Sequence, residues 1–255
     1  MLSRSLFLLV FLVSPCLGCD SSEGSAAGTS QSGATKQAAA ETLSDEARFD
    51  KDIRKKSCEL LPPAMVANTF GVPEGELQQT SVMGCFYSWD GDGRRITAQI
   101  IAPRAHKSEK AAARWFANAT KAVSKAELDA QFEKVKQKAK ERAGFDSKTK
   151  EKAADVLMDS SAFAPEGITF TSVDGVGEDA AIASNDGTIK VRVDNLTFTV
   201  GAYAGPPAPE PDYSGLDLKS RAAVAKKADV EWLAKTYPQR KTEGAKLARA
   251  IVEAL

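Results

Sequence analysis

The chain predicts an α+β fold, an antiparallel sheet with flanking helices in a layer sandwich, interrupted by a helical insertion. Three observations predict it. Strand-like segments are joined by tight turns: Asp90-Gly-Asp-Gly93, Asn185-Asp-Gly187 and Asp194-Asn195. Ile189, Val191 and Val193 alternate with Lys190 and Arg192, the pattern of a strand with one wet face. Between the two groups of strands, Ala112, Trp115, Phe116, Ala119 and Val123 recur at helical spacing, as do Leu128, Phe132, Val135 and Ala139.

Each element follows in order. Thr42-Leu-Ser-Asp45 can cap a polar helix running to about Lys56. Pro62-Pro63 opens a short helix over Ala64 to Phe70, which Gly71 stops, and Gly75 to Thr80 reads as a loop. Ser81 to Trp89 and Arg95 to Ile101 form a hairpin whose second strand ends at Pro103. Helices are expected at about 107–123, 125–143 and 148–158, making an insertion at about 105–158. Strands return at Ile168–Val173, Ala180–Ala183, Thr188–Val193 and Leu196–Tyr203. Gly205 to Pro211 is a stiff connector. Two helices, about 219–237 and 240–254, close the chain.

The amino-terminal region is different in kind. Arg4 precedes an unbroken apolar run, Leu6 to Val13, too short for a membrane span of about 20 residues and suited to a signal peptide over residues 1–18. Leu17-Gly18-Cys19 follows, and the segment resembles a bacterial lipoprotein signal, in which a small residue precedes the lipidated cysteine. Gly18 stands at the small position and Cys19 at the acceptor. Pro15 unsuits Cys16 for that role. The competing reading is an ordinary signal peptide that leaves Cys19 a free thiol. Residues 19–44 are rich in Ser, Gly, Ala and Thr and bury too little apolar surface to fold, so they read as anchor and tether. About 20 such residues reach about 25 Å. Residues 45–255 are then a single domain.

Removing Cys16 and Cys19 leaves Cys58 and Cys85, which an exported chain would join as a disulfide; two buried thiols are the alternative. The 34 basic side chains balance 34 acidic ones, so the strong basic excess of a nucleic-acid binder is absent.

Four stretches, "CELLPPAMVANTFGV" at 58–72, "CFYSW" at 85–89, "VDGVGEDAAI" at 173–182 and "IKVRVDNLTFTVGAY" at 189–203, resemble the actinobacterial cell-envelope lipoproteins of unknown function. The resemblance implies a lipobox, a tether, one disulfide and a small sandwich similar to the PsbP-like fold. It brings no catalytic residues.

Chemistry is sparse. His106 is the one histidine and reads as an exposed loop residue; no Gly-x-Ser-x-Gly elbow accompanies it. Asp90-Gly-Asp-Gly93 has alternate carboxylates suited to calcium but lacks the rest of a calcium loop, so it reads as a turn. Asp174-Gly-Val-Gly-Glu-Asp179 lacks the Lys-Ser/Thr of a phosphate loop and precedes a strand, so its glycines serve a turn. Trp89, Trp115 and Trp232 read as core anchors. No catalytic residue, metal site or cofactor is expected.

The expectation is a membrane-anchored, extracytoplasmic lipoprotein of the bacterial envelope, held through Cys19, whose domain is a non-enzymatic binding or interaction module. The alternative is a carrier of an apolar or small ligand between sheet and helices. Residues 107–158, with Lys134, Lys136, Lys138 and Lys140, are the candidate contact with an envelope protein or an anionic surface.

Overall fold

The structure, a computed structural model, describes residues 47–81, 84–142 and 167–255. The expected signal peptide, Cys19, the tether and the helix at 148–158 lie outside them. Seven strands form one antiparallel sheet: β1 (Gln78–Thr80), β2 (Gly84–Gly91), β3 (Arg94–Ala105), β4 (Phe170–Ser172), β5 (Asp179–Ala183), β6 (Ile189–Val193) and β7 (Leu196–Gly205). Their order is β1-β2-β3-β7-β6-β5-β4, so two meanders meet at a central β3–β7 ladder. The expected α+β class is thus observed.

The turns explain the meanders. Gly91 pairs with Arg94, which leaves Asp92 and Gly93 as a two-residue hairpin turn with both φ positive (52° and 69°). Such a turn matches the right-handed twist of the strands it joins. Pro103 does not end β3. It falls in a register shift between Ile101 and Arg104, next to Ala102 at φ 49°. A bulge is where a strand tolerates a residue without an N–H, and past it Arg104 and Ala105 rejoin the ladder.

Alternation along the strands sends one residue set to a buried face. Cys85, Ile100, Val200, Ile189 and Ile182 follow one another across five strands in register, each fully inaccessible to solvent. Two helices cover this row: α2 (Pro63–Phe70), through Val66 and Phe70, and the C-terminal half of α5 (Leu218–Glu253), through Leu247, Ala248 and Ile251. Pro63 sits at the start of α2, and Gly71 ends it in the left-handed region (φ 66°).

The opposite face carries α3 (Glu109–Ala119), with Ala112 and Phe116 buried. Ser108 caps it by accepting a hydrogen bond from the Ala111 N–H. Then α4 (Lys125–Arg142) opens on a reciprocal cap: the Ser124 N–H donates to Glu127 at 2.8 Å, and the Glu127 N–H to the Ser124 hydroxyl. Leu128 packs with Ile168 and Ala183. At least the first part of the insertion is therefore docked on the sheet.

Three other expectations are corrected. The helix expected up to Lys56 is only a 3-10 turn, Lys51–Lys56, because the Asp50 side chain accepts from the Asp52 N–H and starts the turn there; α1 (Ser57–Leu60) continues it. The segment read as a loop at Gly75–Thr80 contains a 3-10 turn at Glu74–Glu76 and strand β1. The two final helices are one: Pro238 lies inside α5. A proline there forfeits one helical hydrogen bond. The turns after it, however, carry the core residues just named.

Asn195, fully buried, fastens the domain's start to this frame. Its side chain accepts from the Phe49 N–H and donates to the Phe49 and His106 carbonyls, each at 2.8 Å.

Candidate functional site

Alternation in β6 puts Lys190 and Arg192 on the α3 face. Arg192 is the hub of that face, its side chain 6% exposed. Its Nε donates to Asp179 at 2.6 Å, and one terminal nitrogen lies 3.4 Å from Glu109 and 3.9 Å from Glu178. The connection between β4 and β5 wraps close to this strand because of Gly177 (φ 58°): a Cβ there would stand 2.4 Å from the Arg192 carbonyl. Glu178 then donates its N–H to that carbonyl and accepts the Asp194 N–H on its carboxylate. The glycine-rich loop is thus a turn, as its sequence indicates. Beside it runs an open groove of about 370 Å³, floored by Phe170, Ala181 and Phe116 and bordered by Asp174, Glu178 and Asp179. Three carboxylates, Asp179, Glu109 and Glu178, surround one guanidinium here, and Asp174 adds a further one to the border, so the groove wall is acidic.

Further along the same face, Lys190 lies 6.0 Å from the centre of the Trp115 ring and 5.9 Å from that of Phe170. Burial pushes its ammonium below the usual range, and nearby Asp186 partly offsets this. His106 is not the exposed loop residue its position suggests. It is half-buried between α3 and the sheet, 5.5 Å from the Trp115 ring centre and 2.9 Å from the Thr197 hydroxyl. Burial, together with the Arg104 charge, pushes its pKa down to about 4, so the imidazole is neutral at pH 7. The arrangement holds α3 to the sheet. The hydroxyl that meets the imidazole, that of Thr197, is itself buried.

At the other end of the sheet, Cys58 and Cys85 are joined, with Cα atoms 5.0 Å apart. Cys85 is fully buried, while Cys58 lines a second open groove, of about 400 Å³, with Arg54, Lys55, Lys56 and Gln79. The Gln79 amide donates to the Cys58 sulfur at 3.2 Å. The two grooves therefore differ in charge, one acidic and one basic.

The remaining candidates are distributed. Asp90 pairs bidentately with Arg95 beside its turn, which leaves its carboxylate engaged. Trp89 is buried and donates to Glu76 at 2.9 Å. Trp115 and Trp232 are only half-buried; Trp232 stacks edge-on against Tyr203, with Arg240 over both rings. Lys134 is exposed, and the side chains of Lys136, Lys138 and Lys140 lie outside the described residues. Among the described residues there is no metal-binding cluster, and no helix is long and apolar enough to cross a membrane.

Sequence reasoning missed the Arg192 hub. Its partners lie at 109, 178 and 179, and only folding brings Glu109 to β6. The one local signal was Arg192 itself, a charge on a strand whose other face is core. No family profile matches the chain, and no curated protein or solved structure is significantly similar to it.

Proposed function

We propose that the protein is a lipid-anchored lipoprotein of the bacterial envelope whose folded domain is a non-enzymatic binding and interaction module. The observation that supports the module over a carrier is the location of free space. Between the sheet and its α2/α5 layer the row Cys85-Ile100-Val200-Ile189-Ile182 is closed to solvent, while both grooves lie open on the surface at opposite ends of the sheet. A carrier would need its recess inside. The anchor rests on the Leu17-Gly18-Cys19 box, the tether behind it and the resemblance to actinobacterial envelope lipoproteins. The joined Cys58 and Cys85 fit an oxidising compartment.

Cell fractionation of the wild type and of Cys19→Ala tests the anchor. The wild type is expected in the membrane fraction with incorporated palmitate, and the variant in the soluble fraction or uncleaved. Membrane retention of a normally cleaved variant would sink the anchor. Native mass spectrometry of the purified chain tests the module, since a stoichiometric small apolar ligand would restore the carrier.

A further inference from the structure

We propose that the β4 edge of the sheet receives an extended, lysine- or arginine-bearing peptide strand of a partner protein, which pairs with the outward backbone of Phe170 and Ser172. The proposal rests on the interaction-module reading and names the surface and the chemistry of the partner.

The hydrogen-bond pattern shows which backbone groups are free. The Val173 N–H donates to Ala180, and the Ser184 N–H to Thr169, so residues 169, 171 and 173 turn toward β5. By the alternation of an antiparallel ladder, residues 168, 170 and 172 turn outward. Ile168 demonstrates it: its N–H donates to Val123 at 2.8 Å and its carbonyl accepts from Val123 at 2.9 Å. The fold itself thus begins to add a strand at this edge. It stops after one bridge, because in this antiparallel register Lys121 and Ala119 would stand opposite Phe170 and Ser172, and there the chain is still leaving α3. Phe170 and Ser172 are left with outward N–H and C=O groups that take no described partner, and Thr171 and Ser172 are exposed.

The occupant follows from what stands beside this edge. Residues opposite each other in a ladder share a face. Side chains opposite Phe170 and Ser172 would therefore point to the α3 face, into the groove floored by Phe116 and Ala181. Asp174, Glu178 and Asp179 border it, with Arg192 buried behind them. A strand bearing carboxylates would be repelled, and one bearing cations attracted. Lys190 leans on the Phe170 ring. The incoming cation therefore belongs opposite Ser172, two residues from Asp174, and an uncharged side chain opposite Phe170. Backbone pairing supplies the affinity and the carboxylates the selectivity, as in other cases of strand addition.

The test uses the full chain in zwitterionic detergent and fluorescein-labelled, end-capped hexapeptides of alternating Thr and Lys, alternating Thr and Glu, and the Lys peptide methylated on alternate backbone nitrogens. The Lys peptide is expected to bind and to slow amide exchange at Phe170 and Ser172. Its affinity should fall about fivefold in Asp174→Lys and about as much in 0.5 M salt, because the attraction is screened. The Glu peptide and the methylated peptide should bind at least tenfold more weakly, a difference of about 1.4 kcal/mol. Equal binding of the methylated peptide would reduce the site to charge alone. Equal binding of the Glu peptide, no binding, or protection at Gln78–Thr80 instead would each overturn the proposal. None of these outcomes bears on membrane fractionation, so a failure here leaves the lipid anchor standing.

Discussion

The two ends of the sheet are held by opposite means. At the β1 end, a covalent bond ties α1 to β2, and the groove beside it is lined by Arg54, Lys55 and Lys56. At the β4 end the tie among the described residues is ionic: Arg192 and the carboxylates of Asp179, Glu109 and Glu178 draw β5, the turn and α3 together. A disulfide acts largely by restricting the unfolded chain, so it is indifferent to salt and to moderate pH but not to reductants. An ion cluster has the reverse sensitivities. The comparison teaches that the β4 end is the adjustable one.

The largest expected effect is on the covalent end. The double variant Cys58→Ser/Cys85→Ser frees a sequence separation of 27 residues and should cost about 3–4 kcal/mol on the chain-entropy account, read as a lower urea midpoint. Hydrogen exchange should quicken first at Gln78–Thr80 and Gly84–Gly91. Equal acceleration at β4 and β5 would erase the contrast between the ends.

Arg192→Met sharpens the same contrast from the other side. It removes the cation that Asp179, Glu109 and Glu178 share, so stability should fall by about 2 kcal/mol, less than for a fully buried pair because Asp179 is partly exposed. Exchange should quicken at Asp179–Ala183 and in α3, with β1 and β2 unchanged. A loss spread evenly over the sheet would show that the cluster does not act locally.

The smallest effect concerns the clamp between α3 and the sheet. His106 has a folded pKa of about 4, below the ordinary value of 6.5, so the unfolded chain binds the extra proton more readily. Its contribution is fully present above pH 6.5 and is lost as pH falls toward 4. With allowance for its half-exposure, about 1 kcal/mol should disappear across that window. Urea midpoints of wild type and His106→Gln measured from pH 7 to 4.5 should converge as pH falls; parallel curves would remove His106 from the account.

Much of the architecture was legible because the signals are local. Asp92-Gly93 needs positive φ at both positions, and a residue pair of that kind announces a hairpin wherever it stands. Pro63 and Gly71 bracket α2 for equally local reasons. What escaped was settled at a distance. Gln78-Gln79-Thr80 has no apolar alternation, and it is a strand only because β2 offers its edge. Pro238 predicts a break, yet the core contacts that follow it keep α5 whole. The fall in the His106 pKa comes first from burial, which only folding of α3 onto the sheet provides, and then from the Arg104 charge.

The place of α5 in the core has a consequence for how the chain comes into being. Leu247, Ala248 and Ile251 lie against strands laid down as early as Cys85 and Ile100, and Arg48 bonds both Asp194 and the Leu255 carbonyl. The buried layer stays incomplete until the last turns of α5 are available. At about 5–20 residues per second, the roughly 150 residues between β3 and Ile251 take on the order of 10 s to synthesise, during which the first meander has α2 but lacks the α5 part of its cover. Long-range closure of this kind also slows folding itself. On the proposed reading of an exported lipoprotein, both delays would favour passage through a narrow translocation channel, because an unclosed chain stays extended until α5 has followed.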